Sequence, residues 1–265
     1  MAQPPAHVLR AFGVSGIEPE RASGGHASTW LIGDLAIKQA DLPEAELSWQ
    51  AMVLSDLQSD RFRVAVPVPS HTGQFVIDGW CATVRLAGSH QPQRWLDIVQ
   101  VGSLFHEATR HIERPPFLDT RTDPWSVGDR VAWGDVHVAD LERDTKHLDR
   151  LLTCRKPVTG TSQLIHGDLT GNVLFDAVQP PAIIDMSPYW RPPEFATAIV
   201  VADALVWEGA GDELIDNASD TNDLTQYLLR ALIYRIVTDR LARPTESPRP
   251  HAGDPYRRAV ELACR

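Results

Sequence analysis

The chain is poor in cysteine: three in 265 residues, Cys81, Cys154 and Cys264, far apart and without a Cys-x-x-Cys pair. No disulfide framework or zinc site is indicated, and the usage suits a reducing compartment. Long apolar runs are also lacking. The most apolar stretch, residues 195–202, ends at Asp203, whereas a membrane span needs about 20 apolar residues. The N-terminus, MAQPPAHVLRAFGV, has no basic start followed by an apolar run, so no signal peptide is expected and a cytoplasmic protein is. Positive charge is in deficit, with 25 Lys and Arg against 35 Asp and Glu, a net charge of −10. A phosphate-backbone binder wants the opposite sign. Nucleic acid and membrane are therefore not expected partners, and a charged substrate would be a cation. With 43% hydrophobic residues the chain can bury a core, which excludes disordered and fibrous classes.

The first third reads as β-rich with one helix. Trp30-Leu31-Ile32, Gly33-Asp34 and Leu35-Ala36-Ile37 form a hairpin pattern, since a Gly-X pair supplies the positive φ a two-residue turn needs. Pro43 opens a helix whose Leu47, Ala51, Leu54 and Leu57 keep helical spacing. Strands are expected at 74–77 and 81–86, joined by Asp78-Gly79. After Gly88 the pattern turns helical, with helices expected at 93–112, 136–153 (carrying Val138, Leu141, Leu148, Leu151 and Leu152), 193–208 and 223–242. Residues 114–130, rich in Pro and Asp, read as a loop, and a Pro-rich stretch covers 244–255. The expected class is α+β: a small β-rich N-lobe, residues 1–88, and a larger, mainly helical C-lobe, residues 89–265.

The densest polar cluster is His166-Gly167-Asp168-Leu169-Thr170-Gly171-Asn172, with Asp185 following the apolar 182–184. Asp168, Asn172 and Asp185 carry hard oxygen donors, the type Mg²⁺ takes alongside phosphate oxygens. An Asp free of metal could instead accept a proton from an attacking hydroxyl. Upstream, Lys38 ends an apolar strand after the Gly-rich turn Ser23-Gly24-Gly25-His26-Ala27-Ser28. Turn N–H groups and one ammonium suit phosphate binding.

HGDLTGNVLF followed by IIDM resembles the catalytic and metal-binding segments of the aminoglycoside phosphotransferase (choline kinase-like) family, which has a protein-kinase-like, bilobal fold. The resemblance runs across nearly the whole chain. SGGHASTWLIGDLAIKQ is similar to the nucleotide loop and lysine strand, DGWCATVRLAG to the strand entering the hinge, and VGSLFHEATRH to the helix before the catalytic region. It implies an ATP- and Mg²⁺-dependent transfer of the γ-phosphoryl group to a hydroxyl of a small molecule such as an amino sugar, an aminoglycoside-like compound or an amino alcohol. Asp168 would be the catalytic base, and Asn172 and Asp185 would hold Mg²⁺. Lys38, paired with Glu46, would contact the phosphates beside Gly24 and Gly25. The backbone of Arg85, Leu86 and Ala87 would meet the adenine. His166 and His106 are expected to prop and pack rather than to transfer protons, and Asp203 to brace the catalytic loop.

Three features depart from the family pattern. Only Leu169, Thr170 and Gly171 separate Asp168 from Asn172, one residue fewer than usual. Met186-Ser187 replaces a Phe-Gly pair. The Glu partner of Lys38 is open between Glu46 and Glu44, with Gln50 at the alternative alignment. Two other readings remain: a catalytically weak, nucleotide-binding pseudokinase acting as a regulatory module, and a metal-dependent hydrolase using His166, Asp168 and Asp185. Trp125, Trp133 and Trp190 are expected to pack, with lining of a substrate pocket the other reading. Asp119, Asp123 and Asp129 are read as a solvated loop face, with attraction of a cationic substrate the other reading.

Overall fold

The computed structural model describes residues 3–22, 29–136, 146–218, 223–242 and 254–265. The chain folds into two compact units, one made of Met1–Gln91 with Gly171–Met186, the other of Pro92–Thr170 with Ser187–Arg265.

The first unit holds α1 (Ala6–Ala11), β1 (Glu20–Arg21), β2 (Trp30–Ile32), β3 (Leu35–Gln39), α2 (Glu44–Ser55), β4 (Arg63–Val64), β5 (Pro67–Val68) and β6 (Trp80–Val84). Later in the chain, β8 (Val173–Leu174) and β9 (Ala182–Ile183) join it. An antiparallel sheet runs in the order β1-β2-β3-β6-β5. Its apolar face closes over Val8, Phe12, Val14, Ile32, Ile37, Trp80 and Ala82. The β2–β3 turn places Gly33 at φ 57°, a conformation that costs glycine little.

The strand expected at 74–77 does not form; only Ile77 bridges Trp80, across Asp78 and Gly79, both at positive φ. Phe75 and Val76 donate their N–H groups to the Glu44 carboxylate at 2.8 and 2.7 Å. That local bonding competes with a ladder.

A second sheet, β4-β9-β8, explains why residues 171–186 belong to this unit. β9 pairs parallel with β4, Arg63 opposite Ala182, and antiparallel with β8. A single cut after residue 88 therefore does not describe the chain. Ser89 and Phe175 exchange backbone hydrogen bonds of 3.0 and 2.9 Å. Gly88 beside them has φ 128°, and a Cβ there would sit 3.0 Å from Leu174 Cβ and 3.1 Å from the Phe175 carbonyl oxygen.

The second unit contains α3 (Trp95–Ala108), α4 (Pro124–Trp133), α5 (Lys146–Cys154), β7 (Gln163–His166), β10 (Pro188–Arg191), α6 (Pro193–Trp207), α7 (Glu213–Asn217), α8 (Leu224–Ala242) and α9 (Arg257–Ala263). The long helices fall where periodicity places them, but α4 occupies part of the stretch read as a loop. Its start signal is present and short. The Asp123 carboxylate accepts from the Ser126 N–H at 3.0 Å, Pro124 fills the first turn, and Gly134 closes the helix at φ 83°; this is N-cap, Pro and C-terminal Gly grammar.

Helix α4 packs on α8 through Gly128, where a Cβ would meet Thr238 Oγ1 at 2.6 Å and the Tyr234 carbonyl oxygen at 2.9 Å. Alanine is the better helix former by about 1 kcal/mol, but the overpacking wins. Gly128→Ala is expected to lower stability by about 1–3 kcal/mol, read from urea denaturation midpoints.

No helix among the described residues is long and apolar enough to cross a membrane. Cys81, Cys154 and Cys264 are free thiols. Gly24 and Gly25, Val138 and Leu141, and most of 244–255 lie outside the described residues.

Candidate functional site

In the first unit, β3 carries Lys38 one residue before its end at Gln39, and the Lys38 side chain is largely covered. Its ammonium is paired with two carboxylates, Asp41 at 2.9 Å and Asp185. Burial pulls the Lys38 pKa down, but Asp185 and Asp41 outweigh it and the value rises overall. Asp185 stands just beyond β9, half-exposed and at φ 53°, a left-handed conformation that Asp tolerates better than most residues. Such an outlier persists only where the surroundings impose it.

Asn172 stands across the same hairpin: its carbonyl accepts from the Ile184 N–H at 2.9 Å, the residue before Asp185. Asn172 and Asp185 thus stand on the two strands' ends at the mouth of one hairpin, with the Lys38 ammonium on the Asp185 carboxylate. No group of three or more His, Cys, Asp or Glu that could hold a metal ion occurs among the described residues. Asn172 and Asp185 still suit Mg²⁺, which takes one or two protein ligands and fills its shell with water and phosphate oxygens.

The three alternatives for the partner of Lys38 separate. Glu44 is spent on Phe75 and Val76. Glu46 is buried on α2. Gln50, also buried on α2, donates its side-chain amide to the Met186 carbonyl at 3.1 Å and so holds the residue after Asp185. Asp41 was missed in the sequence, where a carboxylate three residues past Lys38 looks like an ordinary loop residue.

In the segment after β6, the Arg85 N–H donates to the Asp34 carbonyl at 2.8 Å, and the Ala87 carbonyl accepts from Arg63 at 2.8 Å. Leu86 has no backbone hydrogen-bond partner among the described residues. Of the three positions, it has both backbone groups open to a planar base.

In the second unit, the loop after β7 is built around buried groups. His166 is fully buried, and its Nδ1 accepts from the Asp168 N–H at 3.1 Å. The His166 N–H in turn donates to His106 Nε2 on α3, also at 3.1 Å. Both acceptor nitrogens must be unprotonated, so both rings are props, and His166 is not placed to ligate a metal through Nδ1. Gly167 is required by close approach: a Cβ would lie 2.3 Å from the Tyr189 ring. Leu169 is buried against α3, its Cδ1 only 2.4 Å from where a Cβ on Gly102 would be.

Burial and the neighbouring His166 push the His106 pKa from 6.5 down to about 3. The native state therefore refuses a proton that the unfolded chain binds below about pH 6.5. This stabilisation is full above pH 6.5 and is lost as pH falls toward 3, by about 1.4 kcal/mol per pH unit. His106→Gln, whose amide oxygen can still accept from His166, is expected to flatten the melting temperature between pH 6.5 and 4 relative to the unsubstituted protein.

The Asp168 carboxylate, about one-third exposed, accepts from Arg235 of α8 at 2.7 Å. The same guanidinium grips Asp203 of α6 with Nε at 2.7 Å and Nη2 at 2.6 Å. Burial pulls the Arg235 pKa down, but Asp203 and Asp168 hold it well above its ordinary value. Asp203 thus braces the loop through Arg235. Arg235 was missed, although a charge inside the apolar stretch 228–237 was a signal of the same kind as Asp203.

Of the acidic residues of 114–130, Asp119 and Asp123 are exposed, as a solvated loop face requires, whereas Asp129 is buried. Asp119 takes a two-point grip from Arg114 at 2.8 and 2.6 Å, Asp123 caps α4, and Asp129 accepts from Arg191 at 2.7 Å. Trp133 packs edge-on against Phe195 at 5.4 Å, with Arg191 and Arg230 over its ring at 4.8 and 5.0 Å.

No family model and no curated protein matches the chain. Solved structures do. An aminoglycoside phosphotransferase from Alicyclobacillus acidocaldarius is 15% identical over 99% of this chain and 91% of its own, with a TM-score of 0.57. A thermostable mutant of the aminoglycoside phosphotransferase APH(4)-Ia, in ternary complex with ADP and hygromycin B, is 14% identical over 97% and 95%, with a TM-score of 0.58. A choline kinase from Streptococcus pneumoniae is 10% identical over 93% of each chain, with a TM-score of 0.60. The fold is the mixed α+β fold of aminoglycoside phosphotransferases and choline kinases.

Proposed function

We propose that the protein is a cytoplasmic kinase that transfers the γ-phosphoryl group of ATP, with Mg²⁺, to a hydroxyl of a small molecule of the amino sugar, aminoglycoside-like or amino alcohol class. The observation that carries this reading is the Lys38–Asp185 pair: residues 147 positions apart meet at the hairpin mouth that also bears Asn172. An ammonium that grips phosphate oxygens and hard ligands for their metal are the parts this chemistry requires, because phosphoryl transfer depends on positioning and charge neutralisation.

In this reading Lys38 binds the phosphates, with Gly24 and Gly25 in the nucleotide loop. Asn172 and Asp185 hold Mg²⁺, which supplies charge neutralisation at the phosphoryl oxygens. The backbone about Leu86 meets the base, and Asp41, rather than the expected Glu46, supports Lys38. Asp168, held by Arg235, accepts the acceptor's proton. The nucleotide in one structural neighbour, and the small-molecule acceptors named for all three, support the choice of co-substrate and acceptor class.

Thermal melting with ATP alone, Mg²⁺ alone and both together tests the reading. About 100 Kd of Mg·ATP stabilises by roughly 2.7 kcal/mol. Stabilisation by the pair, well beyond either component, is the expected result; tight stabilisation by metal alone would favour a hydrolase.

A further inference from the structure

We propose that Arg235 is a positioning residue for Asp168: its guanidinium, anchored on Asp203, fixes the orientation in which the Asp168 carboxylate receives the acceptor's proton. This rests on the phosphotransferase reading.

A single nitrogen, Nη2, bridges the two carboxylates, 2.6 Å from Asp203 and 2.7 Å from Asp168, while Nε takes the second Asp203 oxygen. Asp203 alone would already satisfy the buried cation with a two-point grip. Reaching on to Asp168 adds nothing that packing of α6 against α8 needs. What it adds is a restraint on one rotamer of a partly exposed carboxylate.

The clamp is itself held. Arg235 and Asp203 are both buried, and the Tyr234 and Trp207 rings lie 5.1 and 5.9 Å from the guanidinium carbon. The histidine props of the loop act on main-chain N–H groups. Arg235 acts on the side chain that does the chemistry. A lysine cannot substitute, because a point-like ammonium lacks the planar fork that holds one carboxylate while presenting a nitrogen to the next.

The test uses Arg235→Lys, Arg235→Met and the double variant Arg235→Met/Asp203→Asn. The double variant removes both buried charges together and so avoids an uncompensated carboxylate. Steady-state transfer gives kcat and KM, and thermal melting gives Mg·ATP binding. The expected result is a fall in kcat of about 100-fold, with KM for Mg·ATP and the nucleotide-induced melting shift unchanged, the same in the double variant as in Arg235→Met. Arg235→Lys falls between these and the unsubstituted protein. A folded double variant with full kcat overturns the proposal, as does a kcat loss matched by loss of nucleotide binding, which marks a purely structural role. An unsubstituted protein that neither binds Mg·ATP nor transfers phosphate overturns the functional reading itself, and with it this role, before any variant is compared.

Discussion

Asp185→Ala is expected to abolish the magnesium-dependent part of stabilisation by ATP, taking a shift worth roughly 2.7 kcal/mol at 100 Kd to near zero. The substitution removes a hard ligand from the mouth of the β8–β9 hairpin and leaves Lys38 with Asp41 as its carboxylate partner there. Because Asp185 sits at φ 53°, alanine also adds backbone strain. Asp185→Asn separates the two effects, since Asn tolerates the left-handed region about as well while lacking the charge. Loss of the magnesium effect in both variants assigns it to the carboxylate. Normal Mg·ATP binding by Asp185→Ala would show that the metal assignment is wrong.

Asp168→Asn is expected to leave nucleotide stabilisation intact and to cut transfer by about 10²–10⁴-fold, the usual contribution of a positioned proton acceptor. Asparagine keeps the shape and an oxygen that can accept from Arg235, so the loop loses little beyond the capacity to take a proton. Measured kcat with KM for Mg·ATP unchanged is the signature. A protein indifferent to this substitution is behaving as a nucleotide-binding regulatory module, and the shortened spacing between Asp168 and Asn172 would then mark lost turnover.

Much of this was legible in the sequence because it is local. Gly33 and the Asp78-Gly79 pair announce tight turns through the φ values they allow. The long helices α3, α6 and α8 declare themselves by apolar residues and few breakers. The order Lys38, Asp168, Asn172, Asp185 suggests the proposed chemistry from residue types alone. What was not legible depends on distant partners. The parallel pairing of Arg63 with Ala182 moves a 16-residue hairpin segment into the first unit, and no local pattern encodes it.

Helix α4 was hidden because Pro and Asp usually signal loops, and here they form the N-cap and first turn. Asp203 was recognised as a buried charge needing support, but its partner lay 32 residues away on a helix whose apolar character drew attention from Arg235. Glu44 resembled a lysine partner until its carboxylate met the Phe75 and Val76 amides. Side-chain preferences say what a residue can do; the fold decides which neighbour it does it with.

Following phosphorus tests phosphoryl transfer by this protein most directly. Incubation of the protein with ATP, Mg²⁺ and a panel of amino sugars, aminoglycosides and amino alcohols, read by phosphorus NMR, should yield a new phosphomonoester in step with ADP. Its formation should be lost in Asp168→Asn. ADP appearing with inorganic phosphate alone across the panel, or no nucleotide turnover at all, contradicts it.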